Sequence, residues 1–266
     1  MSDRSARRTV LEAAYVNWKT PANLGSAAYR LRRFSPALFN LIMDRPLLVK
    51  TRLGPELRVR LRDAIGPAEV FGLNEYDTEL VDWAAARYVI DAGAHVGAFT
   101  IWAAARSSCS ILAIEPNPAV RRLLEGNVAR LGLGERVNVR PWALAASSGH
   151  RHLRPAQDSA GTALVWDPAV GDVEVESVGL QEAITVSGFP EVDLVKMDIE
   201  GAEYEVFGAA EDATVRSVRH WIIECHPAPG QDPEIVEARL TGAGFEVRSL
   251  EKPHGQRLLI ATRLTA

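Results

Sequence analysis

The chain has 266 residues, 47% hydrophobic and 24% charged, with Gly 20, Pro 15 and Cys 2, proportions that exclude collagen, low-complexity disorder and a disulfide scaffold. Its net charge of -4 is uneven: residues 1–60 carry 12 Lys and Arg against 4 Asp and Glu, so a basic arm precedes an acidic body. The arm's arginines are interleaved with Leu, Phe and Tyr, the pattern of a solvated helical face, and nucleic acid is not an expected partner.

The N-terminus has no unbroken apolar run before a small-residue cleavage site, and the apolar stretch 36–49 is interrupted by Asp44, Arg45 and Pro46. Neither a secretory leader nor a membrane span is expected, and the protein reads as cytoplasmic. Leu24, Ala28, Leu31, Phe34, Leu38 and Leu41 recur at helical spacing, predicting one or two amphipathic helices over 22–43 with a break at Pro36. LLVKTRL and ELRVRLR flank Gly54-Pro55 and predict a β-hairpin. These elements make up an N-terminal extension, residues 1–85, expected to act as a substrate lid or as an arm for homo-oligomerisation.

From residue 86 short apolar strands alternate with helix-length segments. RYVIDAG is followed by a helix from about Ala98 to Ala105, and SILAIEP by one from about Pro118 to Leu131. After the strand VNVRPWAL, DLVKMDIE precedes a helix from about Ala202 to Ala210, and HWIIECHP one from about Pro233 to Ala243. This rhythm predicts an α/β domain, residues 86–266, with a mostly parallel sheet covered on both faces. HRHLRPA and VEVESVGL read as inserted strands, and FEVRSLE and RLLIATR, around Lys252-Pro253-His254-Gly255, predict a hairpin that gives the sheet an antiparallel C-terminal edge. Cys109 and Cys225 lie in apolar runs without metal-ligand spacing and are expected to be buried thiols.

VIDAGAHVGAFTIWAA, residues 89–104, is a strand, a glycine turn and the start of a helix, the place where a doubly wound sheet holds a nucleotide-like cofactor. The spacing of Gly93 and Gly97 is not the dinucleotide GxGxxG, and a carboxylate from Asp91 would repel a pyrophosphate while favouring an ammonium and a sulfonium. Charge therefore points to S-adenosylmethionine. An NAD-dependent oxidoreductase is the rival enzyme, and a non-catalytic nucleotide- or nucleic-acid-binding module the rival outside enzymes. Glu115, at the end of the second strand, can accept both ribose hydroxyls of either cofactor.

With DAGAHVGAFT (91–100), IEPNP (114–118), LVKMDIEGAEYEVF (194–207) and IIECH (222–226), residues 70–250 resemble the FkbM-type branch of class I S-adenosylmethionine-dependent methyltransferases. The resemblance implies a Rossmann-like class I sheet and O-methylation in sugar or natural-product metabolism. It implies that Asp91, Gly93, Gly97 and Glu115 bind the cofactor, joined by His95, Pro116, Asn117 and Asp198, with Trp142, Ala143 and Leu144 beside the adenine. The family usually has Asn where this chain has His95, and often an acid near Ala146.

Methyl transfer to an alcohol needs an aligned hydroxyl and an acceptor for its proton. Alternation puts Lys196, Asp198 and Glu200 on one side of the fourth parallel strand as it leaves the sheet, and Glu224 and His226 on one side of the fifth. His226 or Asp198 is the expected general base, with Lys196, Glu200 and Glu224 positioning it and tuning its pKa. Structural alternatives are a helix cap for Asp198 or Glu200 and a counter-ion for Lys196. Asp198, Glu200, Glu224 and His226 also suit a hard divalent ion, a reading disfavoured because Lys196 would crowd it. The expected acceptor is a hydroxyl of a small molecule or glycan, met by Tyr76 in the loop before the first parallel strand and by Ser159 and Thr162 in the loop 157–166.

Overall fold

The computed structural model describes residues 35–154, 163–165 and 173–264. Residues 1–34 of the basic arm, which include residues 22–34 of the predicted helices, lie outside the described residues, as do Ser159 and Thr162.

Pro36, which carries no N–H to leave unpaired, opens α1 (Pro36–Met43). The predicted hairpin is β1 (Pro46–Lys50) paired antiparallel with β2 (Glu56–Arg60), closed by Thr51, whose hydroxyl donates to the Pro55 carbonyl at 2.7 Å. Strand alternation in β2 buries Leu57 and Val59, which join Val70, Phe71 and Trp83 in the main core. The described part of the extension is thus built into the body of the protein.

The body follows the predicted rhythm: β3 (Tyr88–Ala92), α2 (Ala98–Arg106), β4 (Ser110–Ile114), α3 (Pro118–Arg130) and β5 (Val137–Arg140). Pro141 then splits VNVRPWAL into two strands, because a proline cannot donate to the ladder. β6 (Trp142–Leu144) leaves the main sheet and joins β7 (Gly149–Arg154), β8 (Ala163–Val165) and β9 (Val173–Val178) in a separate sheet of order β6-β9-β7-β8. After α4 (Leu180–Ser187) come β10 (Val192–Met197), α5 (Glu203–Ala209), α6 (Asp212–Arg216), β11 (Val218–Cys225), α7 (Pro233–Gly242), β12 (Phe245–Glu251) and β13 (Arg257–Arg263).

The main sheet has the order β12-β13-β11-β10-β3-β4-β5. β5, β4, β3, β10 and β11 are parallel; β13 runs antiparallel between β11 and β12, so the edge strand β12 points with the parallel set. Both faces are covered, as continuously apolar strands require. Ile111 and Ala113 pack on one face with Phe99, Trp102 and Leu124, while Leu112 and Ile114 pack on the other with Phe207, Trp221 and Leu240. Cys109 and Cys225 are buried free thiols. No helix among the described residues is long and apolar enough to cross a membrane.

Candidate active site

The glycine turn after β3 is forced by a crossing of two backbones. Gly93 sits at φ +75°, and a Cβ there would lie 1.8 Å from the carbonyl oxygen of Asp198, where the chain leaves β10. Gly97, at φ +89°, starts α2 against Leu124. Between them His95 takes φ +52°, a left-handed conformation in which Asn and His are among the enriched side chains, so the family's usual Asn and this chain's His meet the same backbone demand.

The His95 N–H donates to Glu115 Oε2 at 2.8 Å, and the Asn117 N–H to Glu115 Oε1 at 2.8 Å. Each carboxylate oxygen keeps further lone-pair capacity, and Glu115 lines a cavity over the carboxyl ends of β3, β4, β10 and β11. Burial outweighs those two hydrogen bonds and pushes its pKa up to about 7. Asn117 also caps α3, accepting from the Ala119 N–H at 3.0 Å. Pro116, Asn117, Trp142, Ala143, Leu144 and Leu153 line the same end of the cavity, with Trp142 held by a 3.1 Å bond from its Nε1 to Glu176.

Asp91 corrects the sequence reading. Its side chain is 0% exposed and does not line the cavity; it accepts from the Thr100 hydroxyl at 2.5 Å and lies 3.4 Å from Lys196 Nζ. Alternation along β3 turns it toward α2, on the face of Val89, so in this structure it lies beneath the turn, against Thr100 and Lys196. Gly97 does not line the cavity either.

The predicted reacting groups do converge. Lys196, paired in register with Asp91, donates to the Gly93 carbonyl at 2.9 Å and lies 3.6 Å from Asp198. His226 Nε2 lies 3.4 Å from Glu200, 3.7 Å from Glu224 and 3.8 Å from Asp198. Burial alone would lower the His226 pKa, but a hydrogen bond with Glu203 and the charges of Glu200, Glu203 and Asp198 raise it to about 10. Burial likewise opposes ionisation of Asp198, yet Lys196 and His226 prevail and hold its carboxyl below the usual range. Neither Asp198 nor Glu200 caps α5, whose cap position is Ala202. Tyr76 lines the cavity with its ring 5.9 Å from Lys196 Nζ.

Four residues were not singled out from the sequence. Glu203, fully buried, accepts from the Ile199 and Gly201 N–H groups at 3.1 and 2.8 Å and lies 3.1 Å from His226 Nδ1. Its only signal is an acid in the first turn of a helix that follows a glycine. Lys252, in the predicted C-terminal turn, reaches Glu75 at 2.5 Å, Glu224 at 2.6 Å and Glu69 at 3.8 Å. Glu69 and Gln256 line the cavity, but their separation in sequence from the motifs hides this.

Asp198, Glu224 and His226 place ligand-type atoms within 4.8 Å of one another. Lys196 stands 3.6 Å from Asp198 and Lys252 2.6 Å from Glu224, so a cation already sits beside each of those carboxylates.

A family model described as "Methyltransferase FkbM domain" matches residues 91–247. "31-O-demethyl-FK506 methyltransferase FkbM" of Streptomyces tacrolimicus is 27% identical over 62% of this chain and 75% of its own length. "Hexuronic acid methyltransferase AglP" of Haloferax volcanii is 29% identical over 77% of this chain and 80% of its own. The crystal structure of methyltransferase FkbM from Methylobacillus flagellatus, 12% identical, has the same fold at a TM-score of 0.52, covering 88% of this chain and 60% of that one.

Proposed function

The chain belongs to the FkbM methyltransferase family, and from that premise we propose that it is an S-adenosylmethionine-dependent O-methyltransferase acting on a hydroxyl of a small molecule or glycan. The observation that carries this reading is the Glu115 carboxylate. It is buried at the cavity wall, is held by one backbone N–H on each oxygen, and keeps acceptor capacity on both for a vicinal diol. Ile114, Leu144, Leu153 and Trp142 beside it form an apolar wall suited to adenine. When bound, S-adenosylmethionine supplies a methyl group on an electron-poor sulfur. Asp198 and Glu200, at the same cavity, favour a cationic ligand there.

Of the two candidate bases, Asp198 takes the role. It is ionised and lines the cavity, whereas His226 already holds a proton up to about pH 10. Asp198 would accept the hydrogen bond of the acceptor hydroxyl and take its proton, while the bound cofactor would supply the methyl group, its carbon–sulfur bond breaking to leave S-adenosylhomocysteine. Charged His226, held by Glu203, positions Asp198 and Glu200, and Lys196 fixes Asp198 to the glycine turn. The described part of the extension, residues 35–85, lines the acceptor side through Gly66, Glu69, Val70 and Tyr76. An oxygen acceptor is supported by the relative whose name specifies a 31-O-demethyl compound, and a glycan-type acceptor by the one named for a hexuronic acid.

Calorimetric titration tests the reading. S-adenosylhomocysteine is expected to bind and NAD not to, with Glu115→Ala weakening the former at least about tenfold, the worth of one good charged hydrogen bond. Incubation with methyl-labelled cofactor and a hydroxyl library should then place the label on oxygen, and Asp198→Asn should slow turnover by about a hundredfold or more. Binding of NAD in preference to S-adenosylhomocysteine would refute it.

A further inference from the structure

Tyr76 stands in the wall of the cavity and is only 4% exposed. Its ring is held by an edge-to-face contact with Phe99, the centroids 5.2 Å apart. Val70, Ala98 and Phe99 pack in the same cluster and line the same cavity, so the wall around the ring is apolar. Among the described residues the Tyr76 hydroxyl makes no hydrogen bond. Unlike the unpaired side-chain oxygen of Gln256, it is not sealed into protein; with the rest of the residue packed away, it opens on the cavity.

Burial first, and then the charges of Glu75, Asp198, Glu224 and Glu69, hold the phenol well above its ordinary pKa, so the group keeps its proton and can donate it. Water satisfies such a hydroxyl while the cavity is wet. A ligand that displaces the water has to bring an acceptor of its own, or the hydroxyl is left buried and unpaired. A site with this property rejects an analogue that has carbon where the matching oxygen belongs, more sharply than an apolar wall rejects an extra methylene. Lys196 Nζ lies 5.9 Å from the centre of the Tyr76 ring and 3.6 Å from Asp198, so the phenol and the proposed base flank one ammonium, a separation that a six-membered ring with a hydrogen bond at each end spans.

Resting on the methyltransferase reading above, we propose that Tyr76 is a specificity-determining residue whose hydroxyl donates to a second oxygen of the acceptor, an ether or carbonyl oxygen in the same small ring or chain as the hydroxyl that faces Asp198. The acceptor class is then an oxygen-containing ring or chain, and a simple alcohol with carbon at that place is discriminated against.

Isosteric alcohols test this: cyclohexanol against tetrahydropyran-3-ol and tetrahydropyran-4-ol, in which one ring methylene gives way to an ether oxygen that can only accept. Each is titrated by saturation-transfer NMR into the protein with and without saturating S-adenosylhomocysteine. The better of the two ethers is expected to bind at least about tenfold more tightly than cyclohexanol in both conditions. Tyr76→Phe keeps the ring against Phe99 and removes only the donor. In that variant ether affinity should fall about tenfold, to the level of cyclohexanol, while the affinities for cyclohexanol and S-adenosylhomocysteine, which report an intact site, stay within about twofold. Equal, weaker or undetectable binding of both ethers to the parent overturns the proposal, whatever the variant does, and so does an ether preference that survives in Tyr76→Phe. A loss of S-adenosylhomocysteine affinity in Tyr76→Phe with the melting temperature unchanged overturns it by assigning the hydroxyl to the cofactor. Failure of S-adenosylhomocysteine to bind the parent sinks the cofactor reading separately, since the ether preference is also read without it.

Discussion

Glu203 is the residue through which the candidate site is most sharply tested. It is fully buried at the start of α5, and its two oxygens hold the Ile199 and Gly201 N–H groups of a loop whose Glu200 and Gly201 both take positive φ, at +57° and +103°. The same carboxylate is the hydrogen-bonded partner of His226. Glu203→Gln keeps the shape but replaces one oxygen by an NH2, so one buried donor faces another. Losing one charge-assisted hydrogen bond costs about 1.5 to 3 kcal/mol. In a chain of this size that lowers Tm by about 3 to 12 °C. The same loss brings the His226 midpoint from about 10 down to about 8 or 9, since 1.36 kcal/mol corresponds to one pH unit. His226 is raised above its ordinary 6.5, so its contribution to stability is fully present below pH 6.5 and lost as pH rises through about 10. In the variant that loss comes at lower pH. Calorimetric melting against pH and NMR titration of the imidazole carbon-bound protons measure both effects. A His226 midpoint unchanged in Glu203→Gln, or a Tm within about 1 °C of the parent, refutes the argument that this carboxylate holds both loop and imidazole.

Gly93→Ala should destabilise by about 3 kcal/mol or more, because its Cβ would overlap the Asp198 carbonyl at 1.8 Å and the backbone is left-handed there; denaturant unfolding reads it, and a near-normal midpoint contradicts the crossing. Glu115 is raised from 4.5 to about 7, so its contribution to stability is present below pH 4.5 and declines as pH rises through about 7. Ionised Glu115 is also the form that accepts a diol, so S-adenosylhomocysteine affinity should rise across pH 6 to 8 and flatten in Glu115→Gln; an equally steep profile in that variant excludes Glu115 as the titrating group.

The strands and helices of the body were legible because each carries a local signal. β3, β4, β10 and β11 are continuous apolar runs, α3 and α7 open on proline after a side-chain cap, and the turn between β3 and α2 is written in Gly93 and Gly97. Pro141 was visible too, but only the alternative pairing of β6 with β9 shows that it divides two sheets. The convergence of Lys196, Asp198, Glu224 and His226 was readable because strand alternation and parallel register both act over short distances in sequence.

What lay beyond the sequence was decided by long-range packing and by charge balance. Asp91 had the right residue type at the right strand end, yet Lys196 and Thr100 draw it beneath the turn, away from the cavity. His226 read as one of two candidate bases, and three surrounding carboxylates, Glu203, Glu200 and Asp198, raise its pKa to about 10, through distances of 3.1 to 3.8 Å that no spacing encodes. Lys252 and Gln256 belong to a turn that reads as an ordinary hairpin loop, and only the antiparallel return of β13 beside β11 carries them to the acceptor end. Residue type and periodicity therefore determined the fold and the kind of chemistry; the protonation states and the shape of the acceptor end came from the tertiary structure, because burial and Coulomb interaction depend on distance in space and not on distance along the chain.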